Sequence, residues 1–336
     1  MTRRFTTAFT GAFTGAFPGA ASGIGLVMVA AALWATVGVA VQITPAGGRI
    51  PEILLAAART GIAGPMLLAA WALGMGAGRM ATLRRLAPGP LVVFALASAV
   101  FQICLFKCFA QLGVTPAVFL TVCLPPILAC LWSMLRGAAG LSGQSGGALV
   151  LALGGMVLVA LGGPDGAAPE AVHGVVNGVI ASVAFVAMSF AAATLAQASR
   201  PILFTGAGLT LSALVLGGLA VGVGQVGAAE AMPANPGAEP VLLIFYLGLF
   251  PTALAYLCYC TGMARCRTPA IGLVASMIEP LLAALLAAVL LGEHVSGAMI
   301  AGCVLLTGAM VLLWRAERDR PTFHAPTPTA PRPTGR

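Results

Sequence analysis

Between residues 23 and 314 the chain is a succession of apolar runs nearly free of charge, each about 20 residues long, the length an α-helix needs to cross a bilayer. Inside lipid a backbone must satisfy its own polar groups, so such runs become helices or the wall of a closed barrel. Barrel strands alternate polar and apolar residues over about 10 positions, and these runs do not alternate. The expectation is an all-α membrane protein. Composition agrees, since 60% of the 336 residues are hydrophobic and 8% are charged. A soluble chain carries about a quarter charged residues, so a water-soluble enzyme fold is excluded.

Reading the runs between Gly, Pro and charged breaks predicts ten spans, at 23–44, 53–75, 90–111, 115–135, 147–163, 174–196, 202–224, 241–263, 269–291 and 296–314. Lys and Arg near span ends favour the cytoplasmic side. With a cytoplasmic N-terminus, 14 of the 17 basic residues fall inside, leaving Arg49 in an outer loop and Arg59 and Lys107 within spans. Both termini are therefore expected in the cytoplasm, with the protein multi-pass in the inner (plasma) membrane. The net charge of +8 follows from this asymmetry and from attraction to anionic membrane lipids, and calls for no nucleic acid.

Sliding the chain along itself by about 153 residues lays Thr115-Pro116-Ala117 on Thr268-Pro269-Ala270, and one residue of slippage lays Met156-Val157-Leu158 on Met310-Val311-Leu312. The ten spans thus divide into two five-helix repeats, residues 23–163 and 174–314. Five is odd, so the repeats are inverted, an arrangement that secondary transporters use to rock one half against the other around a midplane site. Residues 1–22 read as a cytoplasmic N-terminal extension, and 315–336 as a disordered cytoplasmic tail with too few apolar residues to order a core.

Chemistry is sparse within the spans. Of eight Cys, seven lie in predicted spans and no Cys-x-x-Cys occurs, so they read as small apolar filler. The three His are scattered, which leaves no metal site and no cofactor expected. The string from Gly143 to Gly147 matches Gly-x-Ser-x-Gly but follows no strand, so it reads as linker. With no His or Asp in any span to activate a nucleophile or pair a carboxyl, an enzyme is not expected.

Glu279 is the one acid within a span, and an acid at mid-membrane costs about 2.5–3.5 kcal/mol to insert unless protonated, paired or hydrated. It is expected to face a cavity, with Pro280 loosening the preceding turn. Arg59 and Lys107 are the candidate partners for a carboxylate, Lys107 otherwise snorkelling to the interface. A cavity holding Glu279 and either cation suits a zwitterion such as an amino acid. Trp34, Tyr256 and Tyr259 are candidate apolar walls, the two tyrosines sharing one helix face. Asn177, Gln102 and Ser276 are further polar candidates. Gly218 and Gly222 form a small-xxx-small pair, read as a helix contact.

The stretch Ala270-Ile271-Gly272-Leu273-Val274-Ala275-Ser276-Met277-Ile278-Glu279-Pro280, continuing to Leu291-Gly292-Glu293, together with Ala32-Leu33-Trp34 and Ala58-Arg59, resembles the EamA family of the drug/metabolite transporter superfamily. The first half departs from the pattern, with Pro125-Pro126 in place of Glu279-Pro280 and Arg136-Gly137 in place of Gly-Glu. The resemblance implies export or uptake of small metabolites, amino acids or drugs through a central cavity. The function expected is a secondary transporter working by alternating access, an exporter of amino acids or amphiphilic drugs, with protons as coupling ion through Glu279. A homodimer is a further expectation. A channel, a non-catalytic scaffold and an intramembrane enzyme are the alternatives. No Gly-x-x-x-x-Gly-Lys-Ser/Thr motif points to ATP.

Overall fold

The structure, a computed structural model, describes residues 20–44, 50–74, 86–135, 143–161, 169–196, 201–225, 238–265, 272–273, 275–276, 278–292 and 296–318. The described residues build helices α1 (Ala20–Trp34), α2 (Thr36–Ile43), α3 (Glu52–Gly74), α4 (Pro88–Leu112), α5 (Val114–Leu135), α6 (Gly143–Leu161), α7 (Pro169–Ala196) and α8 (Pro201–Gly222). They continue with α9 (Glu239–Gly248), a π-helical turn over Leu249–Leu254, α10 (Ala255–Arg265), α11 (Ile278–Leu286), a second π-helical turn over Ala287–Leu291, and α12 (Gly297–Arg318). Among the described residues six stretches are long and apolar enough to cross a membrane, namely Gly23–Ile43, Glu52–Leu73, Pro88–Leu112, Glu170–Thr194, Pro201–Gly222 and Glu239–Arg265. Four apolar helices are shorter, namely Val114–Ala129, Gly146–Gly155, Ile278–Leu291 and Ile300–Ala309. The fold is an all-helical, multi-pass membrane fold. Large apolar side chains stand on its outside, Leu214 and Val289 among them at 68% and 71% exposure, as a lipid-facing surface requires.

Local chemistry sets the breaks. Pro88 and Pro90 lie in the first turn of α4, where a missing N–H costs nothing. The helix ends at Gly113, whose φ of +84° favours glycine, and whose N–H donates to the Phe109 carbonyl at 3.1 Å. With no further linker, α5 starts at Val114. In the eighth predicted span Pro251 cannot donate an N–H, and the chain widens into the Leu249–Leu254 π turn. Thr252 Oγ1 donates to the Leu247 carbonyl at 2.6 Å, taking up an acceptor there.

The helices pack chiefly in pairs: α4 on α7, α3 on α8, α6 on α12 and α1 on α10, while α5 lies against both α7 and α11. Contact between α3 and α8 is closest at Gly64, where an added Cβ would run into the backbone of Thr210. Three apolar cores result, one of them aromatic and centred on Trp34, Phe185, Tyr256 and Tyr259.

Several boundaries differ from the sequence reading. The first helix starts at Ala20, three residues inside the expected extension, and is interrupted by a single turn residue at Ala35, with Trp34 at the middle of the Gly23–Ile43 span as expected. Thr36 explains the break: its hydroxyl donates to the Leu33 carbonyl at 2.7 Å and shares a 2.7 Å hydrogen bond with the Tyr246 hydroxyl. The last helix runs on to Arg318, into the segment expected to be tail. In the ninth predicted span, residues 272–273 and 275 are helical and α11 runs from Ile278, while its expected start at 269 lies outside the described residues. Among the described residues Gly218 and Gly222 meet no neighbouring helix, because nothing there lies within 4 Å of a Cβ built on either. The rest of the N-terminal extension, residues 1–19, the tail from 319 onward and Glu293 lie outside the described residues.

Candidate functional site

Arg59 sits in the third turn of α3 and is 1% exposed. Its Nε donates to Gln102 Oε1 of α4 at 2.8 Å, and the Gln102 amide nitrogen donates to Ser98 Oγ at 3.3 Å. Spacing places Ser98, Gln102 and Phe106 on one face of α4, so the guanidinium that meets Gln102 also lies over the Phe106 ring, 5.3 Å from its centroid. The Tyr256 hydroxyl from α10 lies close enough to interact with it. Yet Arg59 Nη1 is buried with no hydrogen-bond acceptor, and among the described residues Arg59 forms no ion pair. A guanidinium held only by neutral groups, the Gln102 amide, the Tyr256 hydroxyl and the Phe106 ring, has unused capacity for an anion in the interior of a membrane protein.

Arg59, Trp34, Phe101, Thr121, Tyr256 and Glu279 belong to the wall of one cavity, which measures about 20 Å³. That is room for about one water. Glu279 enters the wall from the opposite half of the chain. Since α11 starts at Ile278, the carboxyl lies in the first helical turn, where the positive end of the helix favours negative charge. The loosened turn expected before Pro280 is thus a helix start, with the Glu279 N–H donating to the Ser276 carbonyl at 3.0 Å.

Trp34 is fixed by aromatic neighbours, with centroids 5.2 Å from Tyr256, 5.1 Å from Tyr259 and 6.0 Å from Phe185. Edge-on and tilted pairs of this kind contribute about 0.5–1.5 kcal/mol each beyond burial. The hydroxyl of Tyr259 shares a 2.7 Å hydrogen bond with Ser189 Oγ, so this ring supports Trp34 from behind and does not line the cavity.

Four of the six residues singled out from the sequence, Trp34, Arg59, Tyr256 and Glu279, therefore line one cavity. Lys107 does not join them: it is exposed and lines a separate pocket with Glu52, Gln111, His173 and Asn177. Phe106 and Ser98 escaped the sequence reading. The Ser98-x-x-x-Gln102 spacing on an otherwise apolar helix was the available signal for this polar stripe.

Residues 173–315 match the profile of the EamA-like transporter family. The chain carries an EamA-like transporter unit. The EamA-like part includes Tyr256, Tyr259 and Glu279, while Trp34, Arg59 and Lys107 lie ahead of it. A solved crystal structure of a protein 23% identical to this chain shares its fold with a TM-score of 0.62, over 89% of this chain and 98% of that one. No curated protein matches the chain. The family match and the membrane-helical fold support a membrane transporter in general.

Proposed function

We propose that this EamA-like protein is a secondary carrier that exports small solutes bearing both a carboxylate and an amine, amino acids and amphiphilic drugs of that kind, by alternating access. The observation that carries the reading is the cavity wall: a buried Arg59 with an unpartnered Nη1, and Glu279 contributed by the other half of the chain. Arg59 takes the carboxylate, Glu279 takes the amine or the coupling proton, and Trp34 and Tyr256 cover the apolar part of the solute. At about 20 Å³ the cavity is shut, so loading and release both require one half to move against the other.

Ten spans in two inverted five-helix repeats underlie that movement, with both termini cytoplasmic in the inner membrane. The packing supports this symmetry. Exchanging each span for the one five places along turns the α4–α7 contact, third with sixth, into the α1–α10 contact, first with eighth. The contacts α3–α8, α5–α11 and α6–α12 map onto themselves.

Proteoliposomes loaded with individual L-amino acids test the proposal. Saturable, counterflow-stimulated exchange is expected, with Arg59→Gln weakening half-saturation about tenfold or more, the loss of one charge-assisted hydrogen bond. Glu279→Gln should transport without responding to a pH gradient. Unsaturable flux would identify a channel, and unchanged affinity in Arg59→Gln would refute the assigned site.

A further inference from the structure

Lys107 is the chain's only lysine, and it stands where a basic residue is least expected, near the end of α4 away from the arginine-rich side. Snorkelling explains a lysine near a span end, but not the company it keeps. Its pocket measures about 450 Å³ and is otherwise lined by Glu52 from the first turn of α3, Ala110 and Gln111 from the last turn of α4, and His173 and Asn177 from the start of α7. Volumes of this order hold small metabolites. The wall is built, since Asn177 Nδ2 donates to Gln111 Oε1 at 2.9 Å across the two helices. Gly174 is the reason they come so close, because a Cβ there would lie 2.6 Å from Leu112 Cγ. Among the described residues Lys107, Glu52 and His173 form no ion pair with one another, although they share the pocket.

The position of the pocket matters as much as its lining. Glu52 and Arg59 are seven residues apart on α3, two turns along the same face and about 10 Å along the axis. Phe106, which stacks on Arg59, immediately precedes Lys107 on α4. The polar pocket therefore lies at the outer end of the α3–α4 seam whose inner part holds Arg59, Gln102 and Phe106. Its lining combines an ammonium, an imidazole and a carboxylate, the kinds of charge that Arg59 and Glu279 bring to the central cavity.

We propose that this pocket is a second binding site, an outer vestibule for small zwitterions, in which Lys107 and His173 hold the solute's acid group and Glu52 its ammonium. The proposal rests on the central-cavity reading for its account of where the solute goes, but the site can be tested by itself. A vestibule on the seam holds the solute next to the closed cavity in one orientation, acid group toward the cationic side.

The single lysine provides the experiment. Reductive ¹³C-methylation of the full-length protein in phosphatidylcholine nanodiscs keeps the charge on Lys107 and gives one side-chain NMR signal beside that of the N-terminal amine. Titration with individual L-amino acids should shift that signal saturably for at least one of them, and not for its amide or N-acetyl form. Glu52→Gln should weaken the half-saturation about tenfold, the value of one charge-assisted contact. Arg59→Gln, which disables the central cavity, should leave the shift intact, so that failure at one site is distinguished from failure at the other. The vestibule is overturned if no amino acid moves the signal, if Glu52→Gln titrates like the native chain, or if inorganic phosphate or phosphatidylethanolamine in the nanodisc produces the same shift and blocks that of the amino acid.

Discussion

Replacing Arg59 by Met and Gln102 by Leu together should give a protein that is more stable when empty and unable to bind substrate. Arg59 is 1% exposed, and its Nη1 has no acceptor. An arginine at mid-span costs about 2.5–3.5 kcal/mol on insertion scales. Against this stands its stacking on Phe106, worth about 0.5–2 kcal/mol. The 2.8 Å bond from Arg59 to Gln102 disappears with both of its partners, which is nearly neutral when the replacements are apolar and of similar shape. The 3.3 Å contact to Ser98 is long and contributes little. The balance is a stabilisation of about 0.5–3 kcal/mol, a factor of roughly two to over a hundred in the unfolding equilibrium. Arg59→Met alone should gain less, because it strands Gln102 Oε1. Unfolding in bicelles, followed by steric trapping without substrate, measures the stability, and counterflow in proteoliposomes measures the function. A double variant that is less stable than the native chain would show that the guanidinium braces the bundle, and the reasoning from its spare donor to a carboxylate ligand would be refuted.

Other consequences can be checked in the same preparations. Gly64→Val should destabilise the protein by several kcal/mol or block its insertion, because the new side chain meets the Thr210 backbone; a loss smaller than about 1 kcal/mol would contradict the close approach of α3 and α8. Tyr259→Phe removes the hydroxyl bonded to Ser189 and should cost about 1 kcal/mol of stability, with half-saturation for transport unchanged. Trp34→Ala should cost about 3–5 kcal/mol if the site cannot collapse, and Trp34→Phe should restore folding while raising the half-saturation concentration for transport.

The sequence made the helices legible because lipid imposes one rule on every span, and that rule acts through composition alone. Boundaries were less legible where a distant residue decides them. No glycine or proline stands at Ala35, and the break there depends on Thr36 meeting Tyr246 across 210 positions of sequence. That Arg59 and Glu279 would share a cavity was legible, because a charge in a span must find something polar. For Lys107 the reading left the cavity and the interface open, and the exposed side chain takes the outward course. Gly218 and Gly222 have the spacing of a contact, but spacing does not tell whether another helix lies opposite.

The π turn at Leu249–Leu254 has a further consequence for the aromatic wall. A surplus residue in a regular helix would advance everything downstream by about 100° of rotation, and the wider π turn absorbs it. Tyr256 and Tyr259 face the bundle's interior with that residue absorbed. Rewinding the turn to regular helix with every residue kept would swing both phenol rings by about 100°, leaving Trp34 with little of its aromatic support, whereas deleting one residue would close the turn with both rings left in place. The register of one turn, more than the identity of the tyrosines, therefore decides which solutes the wall could accommodate.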